Sequence, residues 1–101
     1  MMRAEVAQLV ALGPFPAEDA ASDEDVERRE ALLTAIERPL TDEEAGALVT
    51  VFGPDDFYGG AWTMLHLIES APGWPLEDAL QNEDNEWIRR LRQRLENARN
   101  R

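Results

Sequence analysis

The sequence DDFYGGAWTMLHLIESAPGWP (Asp55–Pro75) decides the fold of this 101-residue chain. Its apolar residues recur at helical spacing over residues 57–70. They form one stripe made of Phe57, Ala61, Met64, Leu65 and Ile68. Tyr58 and Trp62 widen the stripe on one side and Leu67 widens it on the other, so that the apolar arc spans about 220°. We therefore predict a central helix that neighbours contact from two sides.

Helical periodicity extends to nearly all of the remaining sequence. It predicts further helices over residues 2–12, 23–38, 42–52 and 84–99, and one or two helical turns over 76–80. No segment alternates apolar and polar residues over a useful length, so no sheet is expected. The sequence predicts an all-α fold, a compact bundle of five to six short helices in a single domain spanning 1–101.

Start and stop signals mark most of these helices. Ser22 precedes the acidic run Asp23–Asp25 and is a predicted N-cap. Thr41 and Glu44 have the spacing of a capping box. The helices are stopped by Gly13-Pro14, Pro39 and Gly53-Pro54.

Residues 22–52 and 41–70 each follow the order helix, short turn, helix, which is the outline of a HEAT-like helical hairpin. The two units share no convincing sequence identity. We therefore favour a compact irregular bundle over a true solenoid.

The formal net charge is −11, and it is unevenly distributed. Residues 1–85 carry 4 arginines and 19 acidic residues, whereas residues 86–101 carry 6 arginines and 2 glutamates. Nucleic acid and anionic membranes demand a basic surface and are poor partners. A cationic protein is the electrostatically favoured partner. The alternative is that the acidity only supports solubility.

The N-terminal sequence has its weakly apolar stretch interrupted by Glu5 and Gln8, unlike a signal peptide. The longest nearly apolar run, 61–68, is far shorter than the ~20 residues that cross a bilayer. We expect a cytoplasmic protein.

Catalytic and metal-binding patterns are weak. His66 is the only histidine, and Ser70 follows one turn later, but no nucleophile elbow or oxyanion loop accompanies them. His66 with Glu69, or Asp55-Asp56, offers few ligands for a metal, and the chain has no cysteine. We expect no enzymatic activity, no cofactor and no metal site.

Acidic residues border several aromatic residues, a composition typical of interface hot spots. The residues that we predict to bind a partner are Asp55, Asp56, Tyr58, Trp74, Glu77 and Asp78. The alternative is that Asp55 and Asp56 merely cap the central helix. Trp62 and Trp87 are assigned to the core, and Trp74 is the better candidate for exposure.

The run LTDEEAGALVTVFGPDDFYGGAWTMLHLIESAPGWP (40–75), followed by NEWIRRLRQRLENAR (85–99), resembles small acidic bacterial immunity proteins that are encoded beside polymorphic or contact-dependent toxins. The resemblance implies one-to-one inhibition of a cationic toxin domain, often a nuclease, and it identifies no particular contact residue. The alternative function is that of an adaptor or regulatory domain that binds another protein, with homodimerisation through the apolar excess of the central helix.

Overall fold

A computed structural model describes residues 2–74 and 76–99 of the chain. All regular secondary structure in these residues is helical. The elements are α1 Ala4–Leu12, α2 Asp23–Ala35, α3 Asp42–Val49, α4 Gly60–Glu69, a 3-10 turn Glu77–Ala79 and α5 Glu86–Arg99. The prediction of an all-α bundle of short helices is confirmed.

Both predicted helix caps are present. The Ser22 hydroxyl accepts a hydrogen bond from the Asp25 amide at 3.1 Å and starts α2. The Thr41 hydroxyl accepts from the Glu44 amide at 3.1 Å, while the Glu44 carboxylate accepts from the Thr41 amide at 2.9 Å. These bonds satisfy amide groups that have no partner within the first turn of a helix.

Two helices end earlier than predicted, because the residues after them enter the core in a non-helical conformation. Helix α2 ends at Ala35, and Ile36 is extended with its side chain only 6% exposed. Helix α3 ends at Val49, and the buried Val51 uses its carbonyl to accept from the Phe15 amide at 2.9 Å. Apolar periodicity cannot separate a last helical turn from a buried extended residue.

Helices α1 and α2 form an antiparallel hairpin. At its open end the Arg3 guanidinium donates to the Glu37 carbonyl at 2.6 Å. At its closed end the Arg29 guanidinium donates to the Leu12 carbonyl at 3.2 Å. Arg29 is buried, and its hydrogen bond satisfies a carbonyl that has no partner within α1 because it lies in the last turn.

Helices α3 and α4 form a second antiparallel hairpin, in which the Gly73 amide beyond α4 donates to the Asp42 carboxylate at the start of α3 at 2.7 Å. Helix α1 contacts α3, and α2 contacts α4. The bundle is therefore built from two stacked hairpins. The predicted hairpin of residues 41–70 is one of them, whereas the predicted hairpin of residues 22–52 is wrong, because α2 packs against α1 and α4.

Helix α5 runs parallel to α4. Near the start of both helices, Trp62 meets Trp87 at 5.2 Å between ring centroids. At the end of α4, the Glu69 carboxylate accepts from the Arg94 guanidinium, further along α5, at 2.7 Å. Helix α4 thus contacts α2, α3 and α5, which confirms its predicted central position.

The core lies around α4 and continues into every other α-helix. Trp87, predicted to be in the core, is 2% exposed. Other fully buried side chains include Val6, Leu9, Leu48, Phe57, Met64, Leu65, Ile68 and Leu91. Within the described residues, no helix combines the length and the apolarity needed to cross a membrane.

A buried ion pair joins the start of α1 to the start of α3. The Glu44 side chain is 1% exposed and accepts from the Arg3 guanidinium at 2.7 and 3.0 Å and from the Arg3 amide at 3.0 Å. The hydrogen bonds from Arg3, aided by the Thr41 amide, outweigh burial and lower the pKa of Glu44 from 4.5 to about 2. The ionised form is therefore the one that stabilises the fold.

Replacing Glu44 with Gln should lower the free energy of unfolding by about 2–3 kcal/mol near neutral pH, because the partly exposed Arg3 loses its buried partner. A lowered pKa stabilises the fold above the unfolded value of 4.5, and this stabilisation is lost as the pH falls through about 2. Urea unfolding at pH 7, 4 and 2.5 should show the gap between wild type and variant closing with acid.

Glu30→Gln, on the exposed side of α2, is the matched control and should change stability by less than about 0.5 kcal/mol. If wild type and Glu44→Gln differ by the same free energy of unfolding at all three pH values, the charge of Glu44 does not stabilise the fold as proposed.

Candidate functional site

The turn between α3 and α4 begins with a close approach of two backbone segments. A Cβ atom at Gly53 would lie 2.1 Å from the Phe15 carbonyl oxygen, so only glycine fits there. The loop that follows α1 is therefore held directly against this turn.

Two consecutive aromatic residues in the turn have a left-handed backbone, with φ of 48° at Phe57 and 54° at Tyr58. Gly59 follows with φ of 90°. The conformation costs an L-residue roughly 1–2 kcal/mol. It delays the start of α4 from the predicted residue 57 to Gly60.

The two aromatic rings of the left-handed turn meet edge-on, 5.9 Å apart between centroids, but differ in burial. Phe57 is 0% exposed, and its ring packs 4.7 Å from that of Phe15. Tyr58 is 58% exposed, the largest exposure of any large hydrophobic residue in the described ranges. Burial of Phe57 opposes the strain and holds Tyr58 at the surface, and strained backbone of this kind concentrates at functional sites.

Asp55 is a structural residue of this turn. Its carboxylate accepts from the Phe57 amide at 3.1 Å and from the Glu18 amide at 2.9 Å. Its backbone carbonyl accepts from the indole nitrogen of Trp87 at 3.0 Å. Asp55 shapes the turn and ties it to both the loop and α5.

Asp56 is half-buried beside it. Its carbonyl accepts from the Ala61 amide at 3.0 Å at the start of α4, whereas its buried Oδ1 has no hydrogen-bond partner among the described residues. A carboxylate that lacks an internal donor leaves negative potential uncompensated at the turn.

Glu18 completes the site, and the sequence analysis missed it. The Tyr58 amide donates to the Glu18 carboxylate at 2.9 Å, and the Tyr58 hydroxyl donates to the Glu18 carbonyl at 3.1 Å. Asp19, next in the chain, is exposed. In the sequence, only the acidic dipeptide Glu18-Asp19 marks this loop as a candidate. No local sequence pattern predicts that the loop folds over the turn.

We call this surface the Tyr58 face and define it by Glu18, Asp19, Asp55, Asp56 and Tyr58. The ion pairs found among residues 2–74 and 76–99 include none of its four carboxylates. The face is an exposed phenol ring surrounded by negative charge that no arginine of the described chain neutralises.

A second surface lies next to it, where the prediction for Trp62 was wrong. Trp62 is 38% exposed and lies beside α5 instead of in the core. The Arg90 guanidinium lies over both indoles, 5.4 Å from the Trp62 ring and 4.9 Å from the Trp87 ring. His66 stacks on Trp62 at 6.3 Å between centroids. We call Trp62, His66 and Arg90 the Trp62 ridge.

His66 lies at the surface of α4, close to Glu69. Its side chain is 52% exposed, and Nδ1 lies 3.8 Å from the Glu69 carboxylate. Glu69 in turn accepts two hydrogen bonds from Arg94, at 2.7 and 2.9 Å. The Ser70 hydroxyl donates to the Leu67 carbonyl, away from the imidazole. In the part of the chain that the structure describes, no three His, Asp or Glu side chains gather where a metal ion would bind.

The remaining predicted contact residues lie at the other end of α4. Trp74 is half-buried and packs against the core, so it is not the more exposed tryptophan that we predicted. Glu77 and Asp78 are exposed on the 3-10 turn. The ten residues of α4 span about 15 Å. The structure therefore brings Asp55, Asp56 and Tyr58 together and leaves the other three apart.

The chain matches no protein-family model, no curated protein and no solved structure. What can be said of its function rests on the two surfaces described above.

The left-handed backbone at Tyr58 predicts an unusual order of variant stabilities. Tyr58→Asn and Tyr58→Val both remove the phenol ring, but asparagine tolerates this conformation and a β-branched residue does not. The Asn variant should therefore have the higher free energy of unfolding, by about 1 kcal/mol. Urea unfolding measures the difference. Equal stabilities would show that the turn relaxes out of the left-handed region.

Proposed function

We propose that this protein is an acidic inhibitory binding protein that docks its Tyr58 face onto a positively charged surface of a partner protein. The observation that carries the proposal is the Tyr58 ring, 58% exposed on a strained backbone and surrounded by carboxylates that make no ion pair within the described chain. An interface gains a rigid anchor from a large ring that is held in this way.

The two kinds of group in the face have different tasks. The carboxylates attract a cationic partner and can raise the association rate by about 10- to 1000-fold. The ring supplies apolar area that is removed from water in the complex, which mainly slows dissociation. Because the hydrogen bonds to Glu18 fix the ring before binding, little conformational entropy is lost on docking.

Inhibition follows if the positively charged surface is an active site. An enzyme that acts on a polyanion such as nucleic acid needs a basic cleft, and an acidic protein seated there excludes the substrate. The resemblance to immunity proteins agrees with this reading. The proposed partner is accordingly a cationic toxin domain, a nuclease, bound one to one in the cytoplasm.

Charge removal at the Tyr58 face should slow association with that partner. The double variant Glu18→Gln, Asp19→Asn removes two charges and keeps the side-chain oxygen that accepts from the Tyr58 amide. With the partner purified from the native host on the wild-type protein, surface plasmon resonance should show association slowed about 3- to 10-fold and less dependent on salt. Tyr58→Ala should instead speed dissociation by about 10-fold or more.

The matched control is Glu27→Gln, Glu30→Gln, which removes two exposed charges from α2. Its association rate should stay within about 2-fold of wild type. Titration of the partner's enzymatic activity should end at one equivalent of the wild-type protein. Equal effects of the two charge variants, or binding without loss of activity, would contradict the proposal, and the latter would indicate an adaptor.

A further inference from the structure

The Trp62 ridge has the opposite charge character to most of the molecule. In a chain with a net charge of −11, it presents a guanidinium stacked on two indoles. Arg90 is 44% exposed and makes only a loose pair with Glu86, at 3.6 Å. Stacking orients the guanidinium plane and leaves its N–H groups free to donate to carboxylates.

The Trp62 ridge and the Tyr58 face are adjacent, because Trp87 joins them. The Trp87 indole nitrogen donates to the Asp55 carbonyl of the Tyr58 face. The ring of Trp87 meets Trp62 edge-on and lies under Arg90. An acidic aromatic surface and a basic aromatic surface thus lie side by side where α4 and α5 begin.

We propose that two copies of this chain associate about a twofold axis, with the Tyr58 face of each copy against the Trp62 ridge of the other. A twofold interface pairs the same patch on both copies, so the patch must be complementary to itself. A patch with an acidic half beside a basic half meets this condition, and both contacts form at once. The inference does not rest on the proposed function, since it concerns the protein alone.

This surface includes only part of the apolar excess that the sequence suggested for a homodimer. The stripe residues Met64, Leu65 and Ile68 are fully buried, and Leu67, which widens the stripe on one side, is 5% exposed. The only large hydrophobic residues left exposed in the described chain are Tyr58 and Trp62, one in each half of the patch.

The dimer should be weak and sensitive to salt. The two halves of the patch contain far fewer residues than the ~20–30 that each side contributes to a standard interface. We therefore expect a dissociation constant of about 10–100 µM at low salt. Raising the ionic strength from about 20 mM to 500 mM should weaken it at least about 5-fold, because the charges at the rim are screened.

Sedimentation equilibrium of the full chain with charge-reversal variants tests the arrangement. Each single variant, Arg90→Glu or Asp19→Arg, places like charges opposite each other wherever a Tyr58 face meets a Trp62 ridge. Each should therefore raise the dissociation constant about 10-fold or more. The double variant Asp19→Arg, Arg90→Glu restores opposite charges and should return to within about 3-fold of wild type. An equimolar mixture of the two single variants should form heterodimers for the same reason.

Arg28→Glu and Glu27→Arg reverse the same charges on the exposed side of α2 and are the controls, with an expected change below 2-fold. Circular dichroism establishes that each variant is folded. A wild-type protein that stays monomeric up to about 500 µM would overturn the proposal. Assembly beyond the dimer would also overturn it. So would a double variant whose dimer dissociates as readily as that of the single variants, or an equal change in the dissociation constant for the variants at Arg28 and Arg90.

Discussion

The burial of Phe57 against Phe15 is the contact on which both surfaces depend. It fixes the left-handed turn in which Phe57 is buried and Tyr58, packed edge-on against it, is exposed. The left-handed backbone stores strain of the order of 1–3 kcal/mol per residue, and the packing of one ring opposes it.

Trp87 extends this constraint to the other side of α4. Its ring is part of the core, its nitrogen bonds the Asp55 carbonyl, and Arg90 rests on its outer side. One side chain therefore fixes the distance between a negative and a positive surface. That proximity lets the same region serve a cationic partner in the proposed function and a second copy in the proposed dimer. The two uses compete, since each occupies Tyr58.

Local signals in the sequence predicted what depends on neighbouring residues: the caps at Ser22 and Thr41, the stop at Gly13-Pro14, and the central place of α4. They could not predict which side of a 220°-wide apolar arc α5 would cover, and the prediction of Trp62 in the core was therefore wrong. The part of Glu18 in the site depends on a loop folding back across 40 residues to reach Tyr58. Hydrogen bonds between residues so far apart in the sequence produce no periodic pattern from which they could be predicted.

The anchoring of α5 is uneven along its length, and this has a dynamic consequence. Asn85 caps its first turn, and Trp87, Ile88 and Leu91 are buried, whereas Leu95 is half-buried and residues 96–98 are exposed. Backbone amides of the last turn, beyond the Arg94–Glu69 pair, should exchange with solvent deuterium by local fraying, while those near Leu91 exchange only in larger openings. The helix can thus loosen at one end and keep its tryptophan in place at the other.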